Sequence, residues 1–507
     1  MSITYQDLFT WAAPLYEGDG QSFFMEHHDG TISCAVSWDG IQPETAENKA
    51  QLDARWARIY QLFDELSRNQ GVIFENHFER THDNTLAKQY LEYGEQNMVR
   101  SEELGRLFRK ELAGHLSMYA RNNRVYCVVT LPSTLSGLSF LWSKKVRASI
   151  QDRKIKLKKV IDTLTAFLPG SCLLAVDDYA AEIIRHTDRD RIVVGSSKPI
   201  NPRFHVNQQL IRKPLWEDGL IKCGDTYTKV ILLIDYPDCD VNWFTYLANM
   251  QSVDLHVTQI IKPLNMSAET LRSARQSEKS SETAASYGGE ETVGKVEDHN
   301  SFRHYIHKYD LTVHGNTYII KLHGTDKQNL IDTAKIVEDN LVVQGAVFES
   351  QKEEIARLYW RVSLPGQGYK TPYFRPDHSW QVAHMAPVIK FDVGEKKALE
   401  MLRLTSESTL LGDNYVRNGV HHRITAAKTG SGKTVLEAAE ICELFPLGYN
   451  FYITEVGRGF EWIVDMFGGD YFVLDAENTV VSPFPAYDLE YITEDEADDS
   501  LAFPTSL

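Results

Sequence analysis

From Ala427 to Thr434 the chain reads Ala-Lys-Thr-Gly-Ser-Gly-Lys-Thr, a Walker A pattern with alanine in place of the first glycine. No other stretch restricts the fold as strongly. Gly430 and Gly432 let the backbone curl so that successive N–H groups face inward and cradle phosphate oxygens. Lys433 is placed to reach the β- and γ-phosphates of ATP, and the Thr434 hydroxyl to ligate Mg²⁺. The flanks suit this chemistry. Arg423 to Ala427 is strand-like, and the following segment to Leu444, with Leu436, Ala439 and Ile441, has an amphipathic helical pattern whose positive end faces the nucleotide. Ala427 needs only to be small where the strand turns. Ala427, Lys428, Thr429, Gly430, Ser431, Gly432, Lys433 and Thr434 are therefore the candidate nucleotide-binding residues, with ATP and Mg²⁺ as cofactors.

Hydrolysis needs more than a phosphate loop: a carboxylate at the end of a neighbouring strand, and a group that positions the attacking water. Three apolar runs end in an acid. Val230 to Asp235 lies far upstream and reads as a core strand with an aspartate at its turn. Phe451 to Glu455 is expected to be the second strand of the nucleotide domain. Tyr471 to Asp475 lies about forty residues after Lys433, which makes Asp475 a Walker B-like candidate. No catalytic residue is assigned from these patterns.

The preceding part of the chain reads as α+β. Ser22 to Trp38 has the pattern of two strands joined at Asp29-Gly30, a dipeptide suited to a tight hairpin. Leu52, Trp56, Ile59, Tyr60, Phe63 and Leu66 recur at helical spacing, with Thr45 placed to cap that helix. Strands are expected from Gly71 and from Arg124 to Pro132, flanking a polar helical stretch, and again over Thr226 to Tyr236, stopped by Pro237. A polar stretch from about 267 to 300 reads as an insertion. After it, NTYIIKLHG, TDKQNLIDTAKIVEDN and LVVQGAVF form a β-α-β unit of ferredoxin-like character. This gives an N-terminal α+β domain over 1–250, a second α+β region over 251–400, and the N-terminal part of a RecA-like core over 401–507.

The chain has 507 residues and a formal net charge of -17, which argues against coating nucleic acid through the overall field. Between Lys144 and Lys159, however, eight basic residues face one acid, Asp152. That segment is either a solvated helix face or a contact for anionic lipid, DNA or an acidic partner. Asp488 to Asp499 holds seven acids in twelve residues and reads as a solvated tail. The pairs His27-His28 and His421-His422 lack ligand spacing, and six scattered cysteines fit a reducing compartment. No run approaches the roughly 18 apolar residues of a spanning helix.

Taken in order, these features resemble the large ATPases of type IV secretion and conjugation systems, the TraC/TrbE-like family that includes the IcmB/DotO type. The matching elements are the Asp29-Gly30 hairpin and following long helix, Phe78-Glu-Arg80, KVILLIDYP, IARLYWRVSLPG and the P-loop. After the P-loop come ITEVGRGFEW from Ile453, the Gly-Gly-Asp-Tyr block and Ser482-Pro-Phe484. The resemblance implies a cytoplasmic ATPase, peripheral at the bacterial inner membrane and commonly hexameric, which energises channel or pilus assembly and translocation of DNA or protein. On that alignment Asp475 is not the Walker B acid, since the family's Walker B and sensor residues lie a hundred or more residues further on. The chain would then correspond to the N-terminal half of such an ATPase plus the first strands of its motor. A non-catalytic scaffold or assembly subunit is the alternative, ahead of a coupling protein or DNA translocase.

Overall fold

The structure is a computed structural model, and it describes residues 9–16, 22–41, 49–68, 71–82, 85–117, 119–133, 143–168, 170–187, 200–201, 204–211, 213–237, 239–240, 243–248, 254–265, 302, 304, 306–390, 399–403, 409–412, 425–426, 428 and 430–473. Side chains of the helix Ser143–Phe167 are described from residue 150 onward. By internal contacts the chain divides into one unit of residues 1–97 and 106–419 and another of 98–105 and 420–507.

The first unit is built on one large antiparallel sheet. Its strands are β1 (Trp11–Tyr16), β2 (Ser22–His27), β3 (Ile32–Ser37), β4 (Ile73–His82), β5 (Arg121–Leu131), β6 (Cys172–Leu173), β7 (Leu215–Glu217), β8 (Leu220–Cys223), β9 (Thr226–Asp235), β10 (Asp254–Pro263), β11 (Val313–Gly324), β12 (Val347–Glu349) and β13 (Arg375–His378). They run in the order β1-β2-β3-β5-β4-β10-β11-β9-β8-β7, with β6 on β3, β12 on β9 and β13 on β11. The expected hairpin is β2–β3: Gly30 takes φ +77°, where a side chain would be strained, and Gly30 N–H donates to the His27 carbonyl. The expected division at residue 250 falls inside the sheet, because β4 pairs β10 from Leu255 opposite Arg80 to Ile261 opposite Phe74.

Successive residues of a strand face opposite sides, and two separate cores result. Phe74, Phe78, Cys127, Val129, Val257 and Ile320 belong to one core, with Trp56, Ile59, Phe63 and Leu66 of the helix Lys49–Ser67. The helices Ser143–Phe167, Lys327–Val343 and Ser379–His384 add Leu157, Leu164, Val337 and Val382 to it. Alternate strand positions Ile73, Tyr126, Ile260 and Ile319 lie in the second core, with Tyr179 and Ile183 of the helix Val176–Thr187 and Trp360 of the helix Glu353–Val362. The periodicity read over Leu52 to Leu66 is therefore that of a core-facing helix. Its capping residue Thr45 lies outside the described residues.

The β-α-β unit forms with a strand interposed. Both β11 and β12 pair antiparallel to β9, which lies between them. Its second strand starts later than LVVQGAVF suggests, because Leu341 to Val343 continue the helix and Gly345, at φ +78°, ends it. The 267–300 stretch and the acidic segment Asp488–Asp499 lie outside the described residues. β14 (Glu400–Arg403) and β15 (Thr409–Gly412) form a separate hairpin in the same unit.

Candidate nucleotide-binding site

In the second unit, the phosphate loop leads into the helix Lys433–Leu444. Gly430 and Gly432 stand at φ +80° and +92°, a region that L side chains rarely adopt, and Ser431 N–H closes the turn onto the Lys428 carbonyl at 3.1 Å. A Cβ added at either glycine would meet nothing within 4 Å. These glycines are thus required by backbone conformation rather than by crowding. Lys433 and Thr434 are exposed in the first helical turn, where N–H groups have no acceptor within the helix. Ala427, Thr429 and the Walker B-like Asp475 lie outside the described residues, as do His421 and His422.

An open loop of two left-handed glycines, an exposed lysine and hydroxyl, and the positive end of a 12-residue helix fit a triphosphate. Lys428 and Lys433 would hold its phosphates, with Thr434 on Mg²⁺. Among the described residues no group of three or more His, Cys, Asp or Glu could hold a metal.

Two residues without an assigned role in the sequence reading shape this unit. Arg100, more than 300 positions before the helix end, donates from Nε to the Phe445 carbonyl at 2.8 Å and to the Tyr449 carbonyl, with its guanidinium 3.8 Å from the Phe445 ring centre. A cation there complements the negative end of the helix. The second residue is Glu455. Phe451 to Glu455, expected as a strand, pairs with no strand among the described residues. A parallel strand requires a neighbour to satisfy its backbone, and none is described beside it. The Glu455 carboxylate instead accepts N–H bonds from Gly459 at 2.8 Å and Phe460 at 3.0 Å. A Cβ placed on Gly459 would stand 3.0 Å from Glu455 Oε2 and 3.1 Å from Thr434 Cγ2, so this carboxylate and the P-loop threonine flank the same glycine. The available signal was an acid ending an apolar run just before Gly-Arg-Gly.

A larger set of titratable groups lies in the first unit, along the second core. Glu75, His77 and Glu79 of β4 alternate with the apolar positions of that strand and are fully or almost fully buried. Glu75 accepts from Gly366 N–H at 2.8 Å and Gly368 N–H at 2.9 Å and lies 3.1 Å from His77 Nε2. His186 lies 2.6 Å from both the Tyr126 hydroxyl and Lys321 Nζ, and its ring stacks on His256 at 3.9 Å. Burial pushes the Glu75 carboxyl up to about 8 and Glu182 to about 7, and holds His77 and His186 well below the usual imidazole value. Glu75 is held protonated and His77 neutral near neutral pH, so the Glu75 carboxyl can donate a hydrogen bond to the His77 ring. Burial removes these side chains from any ligand's reach, and they serve as an internal polar network. His27 belongs to the same kind of structure, bonded to Thr10 and Ser33.

The basic segment divides. Arg153 turns inward to donate to the Gly30 carbonyl and Lys154 lies 5.2 Å from the Phe24 ring centre, while Lys156, Lys158 and Lys159 are exposed. Asp235 ends β9 as an exposed turn residue, paired with Arg375 at 3.2 Å. All six cysteines are free, and among the described residues no helix is long and apolar enough to cross a membrane.

Neither the models of known protein families nor the curated proteins compared with this chain gave a match.

Proposed function

We propose that the chain is a nucleotide-binding subunit of the RecA-like P-loop class, working as the ATP-dependent motor component of a type IV secretion or conjugation system. The observation that carries the nucleotide part is the loop itself: Gly430 and Gly432 in left-handed conformations directly before a helix that opens on Lys433 and Thr434. The secretion part rests on the ordered sequence resemblance, from the Asp29-Gly30 hairpin to the Gly-Gly-Asp-Tyr block. In this reading the antiparallel sheet unit supplies docking surface for other subunits and copies of the chain, with a hexamer as the expected assembly. Peripheral contact with the cytoplasmic face of the inner membrane would use the exposed lysines 156, 158 and 159.

Equilibrium binding of radiolabelled ATP to the full chain tests the core of this reading. Removing the Lys433 ammonium from a charge-assisted contact costs about 1.5–3 kcal/mol, so Lys433→Ala is expected to weaken binding at least about tenfold. Failure of the unaltered chain to bind, or binding unchanged in Lys433→Ala, would replace the motor reading with that of a scaffold subunit.

A further inference from the structure

Glu455 is placed for more than closing a turn. Each of its oxygens accepts a single backbone N–H, from Gly459 and from Phe460. Oε1 also accepts from the Tyr471 hydroxyl at 3.5 Å; a carboxylate oxygen offers about two lone-pair sites, so capacity remains on Oε2. The side chain is half-buried, open to water yet fixed in orientation by two amides. Glu455 Oε2 and Thr434 Cγ2 are held within 3.0 and 3.1 Å of one point above Gly459, and are therefore no more than about 6 Å apart. Mg²⁺ binds oxygen at roughly 2.1 Å and keeps several waters, each able to reach an acceptor at roughly 2.7 Å. The Thr434 hydroxyl shares its Cβ with the Cγ2 methyl group, so a cation bound to it would have the carboxylate within reach of its water shell.

We propose that Glu455 holds a water of the Mg²⁺ ion that accompanies a bound nucleoside triphosphate, opposite Thr434, and that Gly459 lacks a side chain because one would separate the two. The proposal rests on the nucleotide-binding reading above. It assigns Glu455 to metal positioning, and the Gly459 and Phe460 amides to holding it ready.

The test is fluorescence titration of the full chain with an N-methylanthraniloyl ATP, in EDTA and in excess Mg²⁺. The unaltered chain should bind at least about tenfold more tightly with Mg²⁺, the scale of one charge-assisted hydrogen-bonded contact. Glu455→Gln should reduce that gain to within about twofold while leaving the affinity in EDTA unchanged. Gly459→Ala, which keeps the carboxylate but inserts a methyl group between it and Thr434, should give an intermediate gain; it supplies the test if Glu455→Gln does not fold. Equal weakening with and without Mg²⁺ in Glu455→Gln would mark the residue as a turn-closing group and overturn the inference. A full Mg²⁺ gain in both variants, or none in the unaltered chain, would overturn it too. In those three cases the P-loop reading survives as long as Lys433→Ala still weakens binding; if it does not, that reading fails and takes this one with it.

Discussion

The two units use polar side chains in opposite ways. In the sheet unit, Glu75, His77, His186, His256 and Lys321 are buried and spend their hydrogen bonds on one another and on the backbone. In the smaller unit, Lys433 and Thr434 stand exposed at a helix start, and Glu455 is only half-buried. The sheet unit buries far more titratable groups, yet the smaller set is the better candidate for a site. A strongly perturbed ionisable group indicates function only where a ligand can reach it. Buried and internally satisfied, the same chemistry is architecture, and removing one partner leaves a desolvated group without its bond.

The largest effect expected is on the sheet. Phe78 is fully buried, with its ring 4.8 Å from that of Phe244, and Phe78→Ala should cost about 3–5 kcal/mol in urea unfolding of the sheet unit. The nucleotide affinity of the folded fraction should not change; a parallel loss of affinity would break the contrast between the units. Next comes the loop. Gly432→Val places a β-branched residue at φ +92°, costing about 1–3 kcal/mol, and should weaken ATP binding about tenfold or more with the sheet unit's melting temperature unmoved.

Acidity should sharpen the comparison further. His27, held down to about 3, His314, to about 4, and His77 and His186, well below their usual value, all stay neutral in the fold through burial. Each bonds a proton in the unfolded chain below about 6.5, so their contribution is present above that pH and is lost as pH falls. Glu75 and Glu182 act in the opposite sense: protonated when folded and ionised when unfolded, they lose stability as pH rises from about 4.5 to 8 and 7 respectively. Burial raises the Glu26 and Asp377 carboxyls as well, so the imidazoles and the carboxyls oppose one another between about 4.5 and 6.5. The sheet unit should lose stability on the alkaline side, where of these groups only the carboxyls act, and below about 4.5, where only the imidazoles act. Glu75→Gln, which mimics the neutral acid, should flatten the alkaline arm in calorimetric scans; an unchanged arm would mean that Glu75 is ionised in the fold. The smallest effect is expected at Lys327, whose ion pairs to Glu217 and Asp218 are at the surface: Lys327→Ala should leave the melting temperature within experimental scatter.

Much of this was legible where the physics is local. The Asp29-Gly30 turn, the 49–67 helix and the end of β9 before Pro237 depend on residues a few positions apart. The β12 start was misplaced because Leu341 to Val343 suit a strand as well as a helix, and only Gly345 at positive φ decides between them. The sheet order was not legible, since β4 lies beside β10 at a separation of some 180 residues and nothing in either strand names its neighbour.

By itself the sequence determined the turn at Gly430 and Gly432, because left-handed backbone at two positions favours glycine whatever surrounds it. Tertiary structure alone decided what the remaining polar residues do. Strand pairing placed His256 within 3.2 Å of Glu79 and turned a scattered set of histidines into an internal network. Packing in the smaller unit set Arg100 against the end of the helix, and Glu455 and Thr434 on either side of Gly459. A side chain's pattern in the chain fixes its chemistry, but whether that chemistry meets water, a ligand or another buried group depends on contacts between residues hundreds of positions apart.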